Sequence, residues 1–166
     1  MEQKAMEDDL IRLFRKMIKI DFSAYLQGIS REEFYMMGTI EEYFEREKDA
    51  EGMNVSAIAK ALDVSSPAVS RMLRGMEQKG YIMKQVSSQN RRNTLVRLTG
   101  KGVHAYERAR KELDRLLLKV MDYMGQRDME EFIRLWNKLA GGFIEEYRLC
   151  KATIHTKGDG HNERQI

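Results

Sequence analysis

Residues 65–80, SSPAVSRMLRGMEQKG, carry the chain's clearest binding chemistry. At helical spacing Pro67, Ala68, Ser70, Arg71 and Arg74 share one side, small residues at its leading end and the two arginines behind. Small residues let such a face approach a nucleic-acid groove, and the two guanidinium groups behind them can fork onto phosphates or guanine edges. A second basic pair, Arg91 and Arg92, lies in the polar stretch SSQNRRN at 87–93. A guanidinium there suits a narrow minor groove, where negative potential is concentrated. The plain alternative for all four arginines is a solvated surface, and their surroundings must decide.

Chemistry of other kinds finds little footing. The sequence has no glycine-rich phosphate loop, no nucleophile elbow and no His/Cys/acid spacing suited to catalysis, so an enzyme is not expected. His104, His155 and His161 are too scattered for a metal site, and no cofactor is expected. Cys150 is the only cysteine, which precludes an intrachain disulfide and suits a reducing cytoplasm. No apolar run reaches the roughly 20 residues that cross a bilayer, and MEQKAMEDDL lacks the basic-then-apolar layout of a signal peptide, so a cytoplasmic protein without a membrane partner is expected.

The net charge of +3 over 166 residues conceals an asymmetry. Between Asn54 and Gly102 nine lysines and arginines stand against two acids, a local charge of +7, which leaves −4 for the rest. A basic middle between acidic ends points to one segment facing a polyanion.

The elements that would position these residues follow from periodicity. Residues 7–26 form a first helix with a broad apolar stripe (Leu10, Leu13, Phe14, Met17, Ile18), ended by Gly28. Ser30 and Glu33 form a capping box for a second helix carrying Phe34, Met37, Ile40 and Phe44 inward. The charged stretch EREKDAEG at 45–52 reads as a solvated connection. Asn54 caps a short third helix with Val55, Ile58, Ala59 and Leu62 inside, and Asp63-Val64 makes the turn into the basic segment. There Ser65 or Ser66 caps, Pro67 suits the first turn, Val69, Leu73 and Met76 face a core, and Gly80 supplies a left-handed end. Two β-prone runs, YIMKQV at 81–86 and TLVRL at 94–98, flank the basic tip. Helix, turn, basic helix, strand, tip, strand is the layout of a winged helix-turn-helix.

Thr99 then caps a long helix to about Met124 with Leu113, Leu116, Leu117, Val120, Met121 and Met124 on its inner stripe. A last helix over 129–148 carries Phe132, Ile133, Trp136, Leu139, Ala140, Phe143 and Tyr147, and Gly141-Gly142 within it suggests a kink or a close helix approach. The tail from Thr153 has little to bury and is expected to fray. The apolar faces of the first and last two helices exceed what a reading domain of about 50 residues can cover, and a second copy of the chain would cover them.

With these residues the chain resembles the MarR family of bacterial transcriptional regulators. The likeness is carried by SAIAKALDVSSPAVSRMLRGMEQKGYI at 56–82 and RRNTLVRLTGKG at 91–102. The resemblance implies a mainly α fold, a winged helix-turn-helix whose long flanking helices form a homodimer interface. It divides the chain into a dimerisation helix at 1–29, a DNA-binding domain at 30–100, dimerisation helices at 101–150 and a flexible tail at 151–166. It implies a sequence-specific regulator of double-stranded DNA, a dimeric repressor at a palindromic operator. By position Ser66, Pro67, Ala68, Ser70, Arg71 and Arg74 would meet the major groove, and Arg91 and Arg92 the wing's groove. The family commonly has an aspartate before the wing arginines, where this chain has Asn90. A small aromatic effector is the further partner implied, with Tyr25, Phe34, Tyr35 and Met37 as candidate pocket residues. The competing reading is a winged-helix module that binds protein and not DNA, which would favour a neutral or acidic recognition face.

Overall fold

The computed structural model describes residues 2–88, 90 and 93–158, with side chains through Lys151. It divides into two compact units, Met1–Arg115 and Leu116–Ile166.

In the first unit, helix α1 spans Glu2–Ile18 and buries none of its residues. Of its broad stripe Leu13, Met17 and Ile18 are more than half exposed, whereas Leu10 and Phe14 are half-buried. The helix does not run on to residue 26 as its periodicity predicted. The Asp21 carboxylate accepts from the Ser23 amide at 2.8 Å and from its hydroxyl at 2.9 Å, a local turn that competes with helix continuation. A short 3-10 helix, Ser23–Leu26, follows, and Gln27 and Gly28 then adopt positive φ.

Helix α2, Arg31–Arg46, opens with both arms of the expected capping box: the Glu33 amide donates to Ser30 Oγ, and the Ser30 amide to Glu33 Oε2. Its inner side is Met36, Met37 and Ile40, with Phe34 and Phe44 packed at the margin. Met36 escaped the sequence reading because an apolar pair at adjacent positions widens a stripe without changing its period.

A two-residue strand β1, Met53–Asn54, precedes helix α3, Val55–Ala61. It lies antiparallel to β3 (Thr94–Leu98), Met53 opposite Val96. No sequence pattern announced it, since two residues are too few to alternate. Gly52 permits the approach: a Cβ there would sit 2.8 Å from that of Leu95. Strand β2, Ile82–Val86, pairs on the other side of β3, giving the order β1-β3-β2.

Helix α4, Ser66–Gln78, is capped by Ser65, whose hydroxyl accepts from the Ala68 amide at 3.4 Å, with Pro67 in the first turn. Val69, Leu73 and Met76 enter the core with Ile58 and Val96, all essentially without exposure. The helix ends as expected, with Gly80 at φ +72°, its amide donating to the Glu77 carbonyl and that of Tyr81 to Met76.

Helix α5, Gly100–Met124, runs from the first unit into the second. Gly102, Ala105, Tyr106 and Ala109 are its buried residues, while Leu117, Val120 and Met121 of the expected stripe are exposed. Gly125, at φ +78°, separates it from helix α6, Gln126–Gly158, which continues ten residues past the predicted end at Arg148. Gly141 and Gly142 lie inside this continuous helix, and a Cβ on either would meet nothing within 4 Å. The close approach suggested by the glycine pair is therefore not made by the described residues of this chain.

Candidate nucleic-acid interface

Because Val69, Leu73 and Met76 are drawn inward, α4 must turn its opposite side out. Ser66, Pro67, Ser70, Arg71 and Arg74 are exposed there, and Ala68 is half-buried at the leading end. Among the described residues neither arginine forms an ion pair. The helix N-terminus adds a partial positive charge close to the small residues.

The other cations of the basic segment are largely occupied. Lys79 Nζ lies 2.7 Å from Glu33 Oε1, and this hydrogen bond holds the lysine above the ordinary lysine range. Glu33 thus caps α2 and grips the end of α4 with one buried carboxylate. Lys84 pairs with Glu77 at 2.7 Å. Arg97 stacks 4.6 Å over the Phe44 ring and donates to the Glu51 carbonyl. Lys101 Nζ donates to the Lys79 carbonyl and lies over the Tyr81 ring. Lys60 shares the unpaired, exposed condition of Arg71 and Arg74 among the described residues, and sequence reading singled it out only through the local charge count.

The LTGKG segment that follows the sheet fixes α4 against α5. Thr99 Oγ1 donates to the Gly80 carbonyl at 2.6 Å and accepts from the Gly102 amide at 3.1 Å. Gly102 is required by contact: a Cβ would lie 2.0 Å from the Tyr81 carbonyl oxygen. The motif therefore clamps the C-terminus of α4 onto the first turn of α5.

At the wing, the Ser87 amide donates to the Asn93 carbonyl at 3.0 Å and the Asn93 amide to Asn90 at 2.9 Å. Arg91 and Arg92, the expected tip contacts, lie outside the described residues.

Of the candidate pocket residues, Phe34 and Tyr35 line a groove of about 520 Å³ together with Leu62, Met72 and Tyr106, with Glu32 and Glu42 on its wall. The rings of Phe34 and Tyr106 stand 5.2 Å apart. Met37 is buried in the core, and Tyr25 is half-buried and not part of the groove's lining.

Two short helices joined by a turn, a cationic second helix and a three-stranded antiparallel sheet define a winged helix-turn-helix protein. Residues 48–94, which span the winged segment as far as the start of β3, match the model of the MarR family. It is 32% identical over 72 residues to the uncharacterized HTH-type transcriptional regulator YdgJ of Bacillus subtilis (strain 168), a match covering 43% of this chain and 44% of that protein. The chain thus spans less than half the length of this curated relative. Its fold is similar to that of S. aureus MepR in a complex with DNA, with a TM-score of 0.64 at 23% identity, over 79% of this chain and 96% of that one. It is also similar to S. aureus MepR bound to ethidium bromide, with a TM-score of 0.56 at 22% identity, over 82% of this chain and 95% of that one.

Proposed function

We propose that this chain is a sequence-specific, double-stranded-DNA-binding transcriptional regulator that acts in the cytoplasm as a homodimeric repressor at a palindromic operator. One observation carries the reading: the outward face of α4 presents small residues followed by Arg71 and Arg74, which form no ion pair among the described residues. Ser66, Pro67, Ala68 and Ser70 set close packing against bases, and the two arginines supply phosphate or guanine contacts. Arg91 and Arg92 are assigned to the wing's groove by sequence position. The DNA complex of a protein of similar fold supports this use of the scaffold.

Dimerisation is assigned to residues 1–29 and 101–150 and DNA binding to 30–100; of the tail expected at 151–166, the part up to Gly158 continues α6 and 159–166 lie outside the described residues. Leu13 and Met17 on α1, Leu117 on α5 and Ile144 on α6 are each more than half exposed, and a second copy would cover them. The two-fold axis would set two recognition helices about 34 Å apart, one duplex turn. The groove beside Phe34, Tyr35 and Tyr106 is the assigned place of a small aromatic effector, supported by the ethidium complex of the same fold.

A gel shift against bulk genomic DNA, repeated over a salt series, tests the reading, and sequencing the retained fragments identifies the operator. Duplex binding that weakens steeply with salt is expected, because each phosphate contact releases counterions. No retention of duplex at low salt would overturn the proposal in favour of a protein-binding module.

A further inference from the structure

Glu51 lies in the connection between α2 and β1, where the charge of the surrounding stretch reads as mere solvation. The structure gives it four hydrogen bonds to the wing. Its carboxylate accepts from the Ser88 amide at 3.1 Å and from the Ser88 hydroxyl. Its carbonyl accepts from Gln85 Nε2 at 2.6 Å and from Arg97 Nη1 at 3.4 Å. Gln85 belongs to β2 and Arg97 to β3, so one residue outside the hairpin bonds both of its strands and the start of its loop. The connection cannot drift, because Gly52 is pressed against Leu95 and Arg97 is itself held over the Phe44 ring.

We propose that Glu51 is a positioning residue of the wing: its carboxylate fixes the hairpin's outer end against the body of the domain, and so sets the wing's orientation toward DNA. The inference rests on the DNA-binding reading for its consequence, but not for its structural half. Asn90 stands where the family's aspartate is expected, and here a carboxylate reaches the wing from a different part of the chain.

The charge of Glu51 makes the test directional. Removing an acid close to a polyanion strengthens binding if charge alone matters. Removing a positioning group weakens it, and only where orientation counts. The experiment compares the full chain with Glu51→Ala, Glu51→Gln and Ser88→Ala variants. It uses a duplex that the protein selects from random fragments and a generic duplex of equal length, with amide hydrogen exchange at Ser88 read in the free proteins.

For Glu51→Ala the expected results are faster Ser88 exchange, unchanged overall unfolding, and selected-duplex affinity reduced about fivefold or more, the low end of one base-reading contact. Generic-duplex affinity should be unchanged or higher. Glu51→Gln, which keeps one acceptor oxygen, should fall between. Equal strengthening on both duplexes, or Ser88 exchange unchanged in all three variants, would overturn the inference. If the unsubstituted protein binds no duplex, the regulatory reading fails, while the exchange measurement still decides whether Glu51 holds the wing.

Discussion

Arg71 and Arg74 differ from Lys79, Lys84, Arg97 and Lys101 in that, among the described residues, they hold nothing of the protein's own. Substituting them should therefore leave folding intact and act on binding. Arg71→Ala is expected to cost about 1–3 kcal/mol on the operator and to relax preference at one base position if it reads a base. Uniform weakening on every sequence, measured by competition with point-substituted duplexes, would make it a phosphate anchor instead. Two carboxylates carry opposite pH signatures. Bonds from the Ser88 side chain and amide lower the pKa of Glu51, so its hold is complete above the ordinary carboxylate range and is lost as pH falls through its lowered value. Ser88 amide exchange, corrected for its intrinsic pH dependence, should rise in that acid window. Glu41 is displaced the other way, by burial first and then by repulsion from Glu107 and Glu45. A raised carboxylate favours the folded state only below its pKa and opposes it as pH rises through that value. Glu41→Gln should thus raise the midpoint of denaturation at neutral pH and leave it unchanged in acid.

Among the elements, α4 is held at both ends and along one side. Ser65 caps its start, Glu33 and Lys101 grip its end, and Leu73 anchors its middle. Leu73→Ala leaves a cavity at a site that is 1% exposed and should cost about 2–5 kcal/mol of stability, read by denaturant unfolding. Gly102→Ala tests the clamp between α4 and α5. The added methyl cannot coexist with the Tyr81 carbonyl in the present arrangement, and backbone shifts of this kind cost about 1–3 kcal/mol. Because the displaced strand and helix ends lie beside the recognition helix, loss of operator affinity should accompany the lowered melting temperature. A variant as stable and as tightly bound as the parent would mean that the clamp yields freely.

For the molecule as a whole, the unresolved balance is between buried and exposed apolar surface. The core around Met36, Met37, Ile40, Ile58, Leu73 and Met76 is closed, whereas α1, the later turns of α5 and α6 leave Leu, Ile, Met, Phe and Trp side chains open to water. Pairing of two 19.5 kDa chains is the expected outcome of equilibrium sedimentation. Ile133→Glu, at a half-exposed α6 position, should shift the mass toward one chain and weaken DNA binding with it, since two half-sites are then no longer linked. An unsubstituted protein with the mass of a single chain would remove the two-fold arrangement from the proposal.

The helices, their caps and the order of the winged segment were legible because they rest on local rules. Ser30 with Glu33, Asn54, Ser65, Pro67 and Gly80 each act within a few residues of themselves, and Val69, Leu73 and Met76 repeat at the helical period. The α4 face could be read for the same reason, since its exposure follows from which side is apolar. Tertiary structure decided what depends on groups distant in sequence. The Lys79–Glu33 pair spans 46 positions and the Glu51–Ser88 bonds 37, so no window along the chain could show which cations are committed or which acid holds the wing. It likewise revealed β1, too short to alternate yet paired across the fold, and gave Gly102 its meaning through a backbone 21 positions earlier. Residue type and spacing set where a helix forms and which side turns outward, but occupancy of a charge or a contact is a property of neighbours that only folding brings together.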